Sequence, residues 1–305
     1  MKKSILIAFA CMVSCFVASA QSQKVIKKEF EKFSTVKVED NFIVKFYNSE
    51  KYFVNIKVDE RIASHVQAYE KANTLYLILD EKGYTKELKK ELKQKGAAQP
   101  VLEAEIHMPA VESLILTDKA TVLHSDVLTA SNFTLTASSN VKIHQLKVSC
   151  EDADFNVSRN VELTADMTVK DKLSLKTANS SKVVLSQKGG KTVLDLDGSS
   201  FLEMKAEVEA LEVHASSGTD SHISGTAESL VVDVSGMSMT DVETLLVKEA
   251  YITQTGTSKC YSNVTDKLTV NLTGGSMLTF MNEPSIVVER IVNSTFIKSD
   301  DPKRK

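Results

Sequence analysis

The sequence predicts an all-β protein whose long middle section is a parallel β-solenoid. Three observations carry that expectation: an apolar-x-apolar phrase recurs along the second two thirds of the chain, small polar residues and glycine follow each copy, and strand-forming runs dominate what precedes it. The copies begin at Leu114, Phe133, Phe155, Leu173, Leu194, Leu211, Leu230, Tyr251 and Leu268. Leu114 and Leu268 lie 154 residues apart over eight steps, about 19 per step. That spacing is too short for a four-stranded propeller blade and fits one coil of a stacked helix.

The chain opens with Lys2 and Lys3, an apolar run from Ser4 to Val17 of about 14 residues, and the small residues Ala18-Ser19-Ala20. This is the pattern of a secretory signal cleaved after Ala20. The run falls short of the ~20 residues that span a bilayer, and no later segment reaches that length, which argues against a retained anchor or an integral membrane span. Lipid attachment at Cys15 is a minor alternative, because Met12 is a poor residue three before such a cysteine. The expected address is the periplasm, the outer-membrane surface or the extracellular space.

Residues 21–110 read as a β-rich N-terminal part. Val36-Lys37-Val38, Phe42 to Phe46, Tyr52 to Val58 and Leu75 to Leu79 are rich in β-branched and aromatic residues, and should form opening coils or a capping sheet. Asp59 to Val66 suits a helical turn or two. Thr85 to Lys95 reads as a charged helix with Leu88 and Leu92 on one side, inside a lysine-rich insertion from Lys82 to Gln99. Its lysines suit a solvated face. Residues 111–290 are the repeats, and 291–305 a closing strand and a loose basic tail, Asp301 to Lys305.

Within a copy, period-two alternation puts Leu173 and Leu175, or Leu211 and Val213, on one face of a strand. One coil cannot hide that face; stacking coils about 4.8 Å apart buries it in a continuous column. At the corners Ser138-Ser139, Ser180-Ser181, Ser199-Ser200, Ser216-Ser217 and Ser276 should fall near one another, with Gly198, Gly218, Gly236, Gly256 and Gly274 supplying positive φ. The serines read as a structural ladder, with a hydroxyl-rich binding face as the rival. Cys11 and Cys15 leave with the signal. Cys150 and Cys260 fall six coils apart, far beyond the ~7 Å reach of a disulfide, so two free buried thiols are expected.

A net charge of −3 and mixed surface charge give no reason to expect nucleic acid as a partner. Two groups invite a chemical reading. Asp152 with Asp154 and Asp195 with Asp197 are alternating acids of the kind polysaccharide hydrolases and lyases cluster on β-helices, but neighbouring coils do not continue them. His124 and His144, twenty residues apart, could stack and share a metal, and His222 holds a similar place in its own coil; two histidines without a further ligand make a weak site. No G-x-S-x-G, H-E-x-x-H, CxxC or phosphate-binding loop is present. No catalytic, cofactor or metal residue is assigned.

Phe33 to Phe46 (FSTVKVEDNFIVKF), Ala104 to Leu116 (AEIHMPAVESLIL), the T-G-S-like corners and Gly275 to Ile286 (GSMLTFMNEPSI) together resemble the auto-transporter adhesin head (GIN) domain family, over roughly Phe33 to Phe296. The resemblance implies a right-handed parallel β-helix exported by a Gram-negative bacterium. This chain differs in having fewer glycines at its early corners and in the lysine-rich insertion. The expectation is a secreted, non-catalytic envelope module that adheres to a host or matrix glycan or protein, with self-association a further option. A β-helix carbohydrate-active enzyme and a periplasmic structural protein are the alternatives.

Overall fold

A computed structural model describes residues 22–299; the segment read as a secretory signal and the basic tail lie outside them. Twenty strands join in one hydrogen-bonded ladder, with a single α-helix, Lys86–Leu92, among the described residues. From Ser113 onward each coil is a flattened loop of two strand segments, stacked in parallel on the same segments of its neighbours. The solenoid expected from the repeats is what forms.

Register shows why these residues were chosen. Leu114, Leu135, Phe155, Leu175, Leu194, Val213, Val232, Ile252 and Val270 are successive partners in one inward column, which Leu75 and Val36 start and Val288 ends. The step is 21 residues from Leu114 to Leu135 and 18 from Val270 to Val288, bracketing the expected 19. All but Val288 are buried, and each such side chain stabilises the stack by about 1.5–3 kcal/mol.

The alignment of copies needs correction. Phe133, Leu173, Leu211, Leu230 and Leu268 belong to a different inward column from Leu114, Phe155 and Leu194, two residues away. A two-residue slip leaves every side chain on its face, so alternation alone cannot detect it. Tyr251 is one residue out: Ala250 and Ile252 point inward, and Tyr251 is exposed.

Each coil turns at one tight corner where one or two residues take positive φ. In the early coils these are Ser139-Asn140, Arg159-Asn160 and Asn179-Ser180; later Gly236, Gly256 and Gly274 serve. The late corners sit so close that a Cβ on Gly256 would come 2.8 Å from the Gly236 carbonyl oxygen. Just past each corner one residue turns inward, forming a buried rung from Ala120, Val141 and Val161 through Ser181, Ser200, Thr219, Ser238 and Ser258 to Ser276. Ser181 and Ser200, the second serines of their pairs, are therefore inside, as is Ser276, whereas Ser217 is an exposed corner residue with φ +59° and Ser139 takes φ +69° without being buried. Ser181 and Ser200 donate to the Ala178 and Asp197 carbonyls at 2.9 and 2.6 Å, closing the turn. The ladder is structural at these positions, and the hydroxyl-face rival loses them.

The N-terminal part supplies both an opening coil and a cap. Thr74–Leu79 and Leu102–Met108 make a coil stacked in parallel on Thr35–Val38 and Ile43–Asn48. Tyr52–Asp59 then runs antiparallel to Leu102–Met108, Gln23–Phe30 antiparallel to Tyr52–Asp59, and Val66–Lys71 antiparallel to Thr74–Leu79. A 3₁₀ turn, Ala63–His65, stands in the segment read as helical. Thr85 caps the helix by accepting from the Leu88 N–H, and Leu88 and Leu92 pack on the core as the sequence suggested. Arg61 ties this corner together, pairing with Glu91 and with Asp59, which is 1% exposed.

Cys150 and Cys260 are free and buried, six strand pairings apart. Burial pushes the Cys150 thiol up to about 11 and raises Cys260 as well, so neither is a ready thiolate. No helix of the described residues is long and apolar enough to cross a membrane.

Candidate functional site

The acidic pairs do not converge. Asp152 is flanked on its neighbouring coils by Asn132 and Lys172, and Asp154 by Thr134 and Ser174. Asp195 stands two coils on, between Lys176 at 3.9 Å and His214. It shares its column with Asn156 rather than with Asp154. Asp197 is committed to the corner: hydroxyls of Ser217 and Ser216 and the Gly198 N–H hold its carboxyl below the usual carboxylate range. Two carboxylates facing one glycosidic bond are not assembled by these four residues.

The histidines separate too. The coil step there is 21 residues, Val122 pairing with Ile143, so twenty residues bring His144 beside Leu123 instead of His124. That overturns the stacked pair. His124 instead contacts Asp126 at 3.2 Å and leans on Tyr47, with ring centroids 5.5 Å apart. Tyr47 in turn stacks on His107, and His107 on Phe53 at 4.1 Å, making a four-ring column beside the cap. Burial lowers the His107 pKa, and its Nε2 has no hydrogen-bond partner. His222 lies between Asp220 at 3.1 Å and Asp241 at 3.5 Å, its ring 5.8 Å from that of Phe201. Among the described residues no group of three or more His, Cys, Asp or Glu is placed to hold a metal.

What register does bring together is a trough running along the stack. Two adjacent outward columns line it: Thr164, Val184, Glu203 and His222, and beside them Asp166, Ser186, Lys205 and Ser224. Short side chains in the middle coils and the irregular backbone between Ile143 and Leu146 leave an open groove of about 560 Å³, with Leu123 and His144 at one end. A second hollow of about 300 Å³ at Phe201, His222, Asp241 and Thr244 shares Glu203, Met204 and Ser224 with it, extending the trough toward the C-terminal coils. The lining alternates hydroxyl, carboxylate, amine and apolar groups, one coil apart. Such a column is legible in sequence only after the coils are aligned to the residue, and the copies as first aligned slip by two.

The opposite face carries a different column, Lys176, Asp195, His214 and Asp233, bordering a hollow of about 450 Å³. Lys176 and Asp195 screen one another there, leaving a shallow polar surface.

A capped parallel β-solenoid with an open cross-coil groove is the class of protein these features define. The chain belongs to the family described as putative auto-transporter adhesin, head GIN domain, whose model matches residues 32–160 and 140–284. The double match mirrors the internal repetition. No curated protein matches the sequence. Three solved structures are similar over 92% of this chain and 98% of their own. A putative adhesin from Parabacteroides merdae is 14% identical with a TM-score of 0.46. A putative adhesin from Parabacteroides distasonis is 14% identical with a TM-score of 0.48. A protein of the same organism described as putative lipid binding is 12% identical with a TM-score of 0.46.

Proposed function

We propose that this chain is an exported, non-catalytic envelope module that adheres to a glycan or matrix protein of a host through the cross-coil groove. The observation that carries the reading is the groove's direction and chemistry. It runs along the stack, across strands, and presents Thr164, Ser186, Glu203, Lys205 and Ser224 at one-coil intervals of about 4.8 Å. A linear ligand with its own repeating polar groups matches such a surface better than a compact small molecule, which would call for an enclosed and more apolar pocket. Family membership supports the adhesive role, and the scattered acids Asp152, Asp154, Asp195 and Asp197 favour binding over hydrolysis.

The test is a glycan and extracellular-matrix array with residues 21–305, run beside an assay for reducing-end or unsaturated products on the same polysaccharides. Saturable binding without product is expected. Product release would overturn the non-catalytic reading, and silence in both assays would replace adhesion with a scaffold role.

A further inference from the structure

The two ends of the solenoid are finished differently. At the N-terminal end the outermost strands, Gln23–Phe30 and Val66–Lys71, run antiparallel to their neighbours and carry Lys24, Lys27, Lys28, Glu29, Glu70 and Lys71. Charged edge strands resist further pairing. At the C-terminal end the last long strand, Ser285–Val292, is the parallel continuation of Lys259–Thr273, and every one of its residues is exposed. Ile286, Val288 and Ile291 extend inward columns occupied one coil earlier by Leu268, Val270 and Leu272, so core positions end in solvent. Among the described residues, six of the thirteen large exposed hydrophobic residues lie between Ile286 and Ile297.

We propose that this end is a self-association edge, on which a second copy of the chain pairs its own Ser285–Val292 antiparallel about a two-fold axis. The strand's sequence selects the register. With Glu289 opposite Arg290 of the partner subunit, Val288 meets Ile291 of the partner subunit and Val287 meets Val292 of the partner subunit. Val288 and Ile291 both face inward, partnering Val270 and Leu272, whereas Val287 and Val292 both follow outward positions, Thr269 and Thr273. Inward thus meets inward, outward meets outward, and each copy contributes one acid and one base to two reciprocal pairs. A register shifted by one would set the inward Val288 against Arg290 or Val292 of the partner subunit, which follow the outward positions Asn271 and Thr273. A two-fold contact uses the same patch on both copies, and the blunted N-terminal end offers nothing to continue it, so association closes at two.

The experiment is sedimentation velocity on residues 21–305 across a concentration series, with E289R, R290E and the double variant E289R/R290E. A dimer is expected for the wild type. Either single variant opposes like charges twice and weakens the dimer by about tenfold or more, while the double variant restores the pairs and the dimer. Both residues are exposed, and thermal melts of the variants check that the coils remain folded. A wild type that stays monomeric, a dimer indifferent to the single variants, a double variant that stays dissociated, or an open-ended series of larger species would each overturn the proposal. None of these outcomes depends on glycan binding.

Discussion

At each late corner one hydroxyl does what backbone alone cannot. Ser238 Oγ accepts from the N–H groups of Gly218 and Thr219, both at 3.2 Å, linking one corner to the next. Ser238→Ala leaves those donors buried and unpaired, and the expected loss is about 1–3 kcal/mol, read as a lowered urea midpoint. Ser174→Ala, on an outward face, should stay within about 0.5 kcal/mol. The sequence made the corners legible, because Ser and Gly mark turns; which serine of a pair points inward was not, since that depends on where the αL residues fall. Asp59 gives a second test at this scale. The guanidinium of Arg61 holds its carboxyl below the usual range, so the ionised form is the one the fold favours. A lowered folded pKa contributes stability that is present above the unfolded value of about 3.9 and lost as pH falls through the folded value. Thermal midpoints measured from about pH 5 downward should therefore fall more steeply for the wild type than for Asp59→Asn, which starts lower at neutral pH.

For the strands, sequence pattern and structure part at register. Alternation identified Thr35–Val38, Ile43–Asn48, Tyr52–Asp59, Thr74–Leu79 and the repeat strands but not Gln23–Phe30 or Val66–Lys71; the spacing of Leu88 and Leu92 placed the helix, and coil spacing the two distant thiols. Alternation could not separate slips of two residues, nor foresee a 21-residue coil that moves His144 away from His124. Backbone approach between coils is the other hidden constraint. Gly225 has φ +112°, and a Cβ there would lie 2.0 Å from the Ala206 carbonyl oxygen, the atom its coil packs against. Gly225→Ala should force the coils apart and cost at least the ~3 kcal/mol upper figure for a strained backbone position, seen as a large drop in midpoint or loss of soluble protein. A near-wild-type melt would show that the stack there is looser than its hydrogen-bond ladder implies.

At the scale of the whole molecule the stack is one-dimensional: each coil touches its neighbours, so the two faces and the two ends are the surfaces left for function. The faces are chemically distinct, one with the mixed groove past Val184 and Ser186, the other with the Lys176, Asp195 and His214 column. The fold was readable from recurring phrases, because burial repeats every coil. The groove was not, because its members stand 19 or 20 residues apart and meet through register alone. The most direct measurement is the affinity of residues 21–305 for the best array ligand, compared among wild type, V184R/S186R and K176E/H214E. Filling the groove with arginine should weaken binding by about tenfold or more while the opposite-face variant binds like the wild type. Equal affinity for wild type and V184R/S186R, with loss confined to K176E/H214E, would contradict the groove as the adhesive surface.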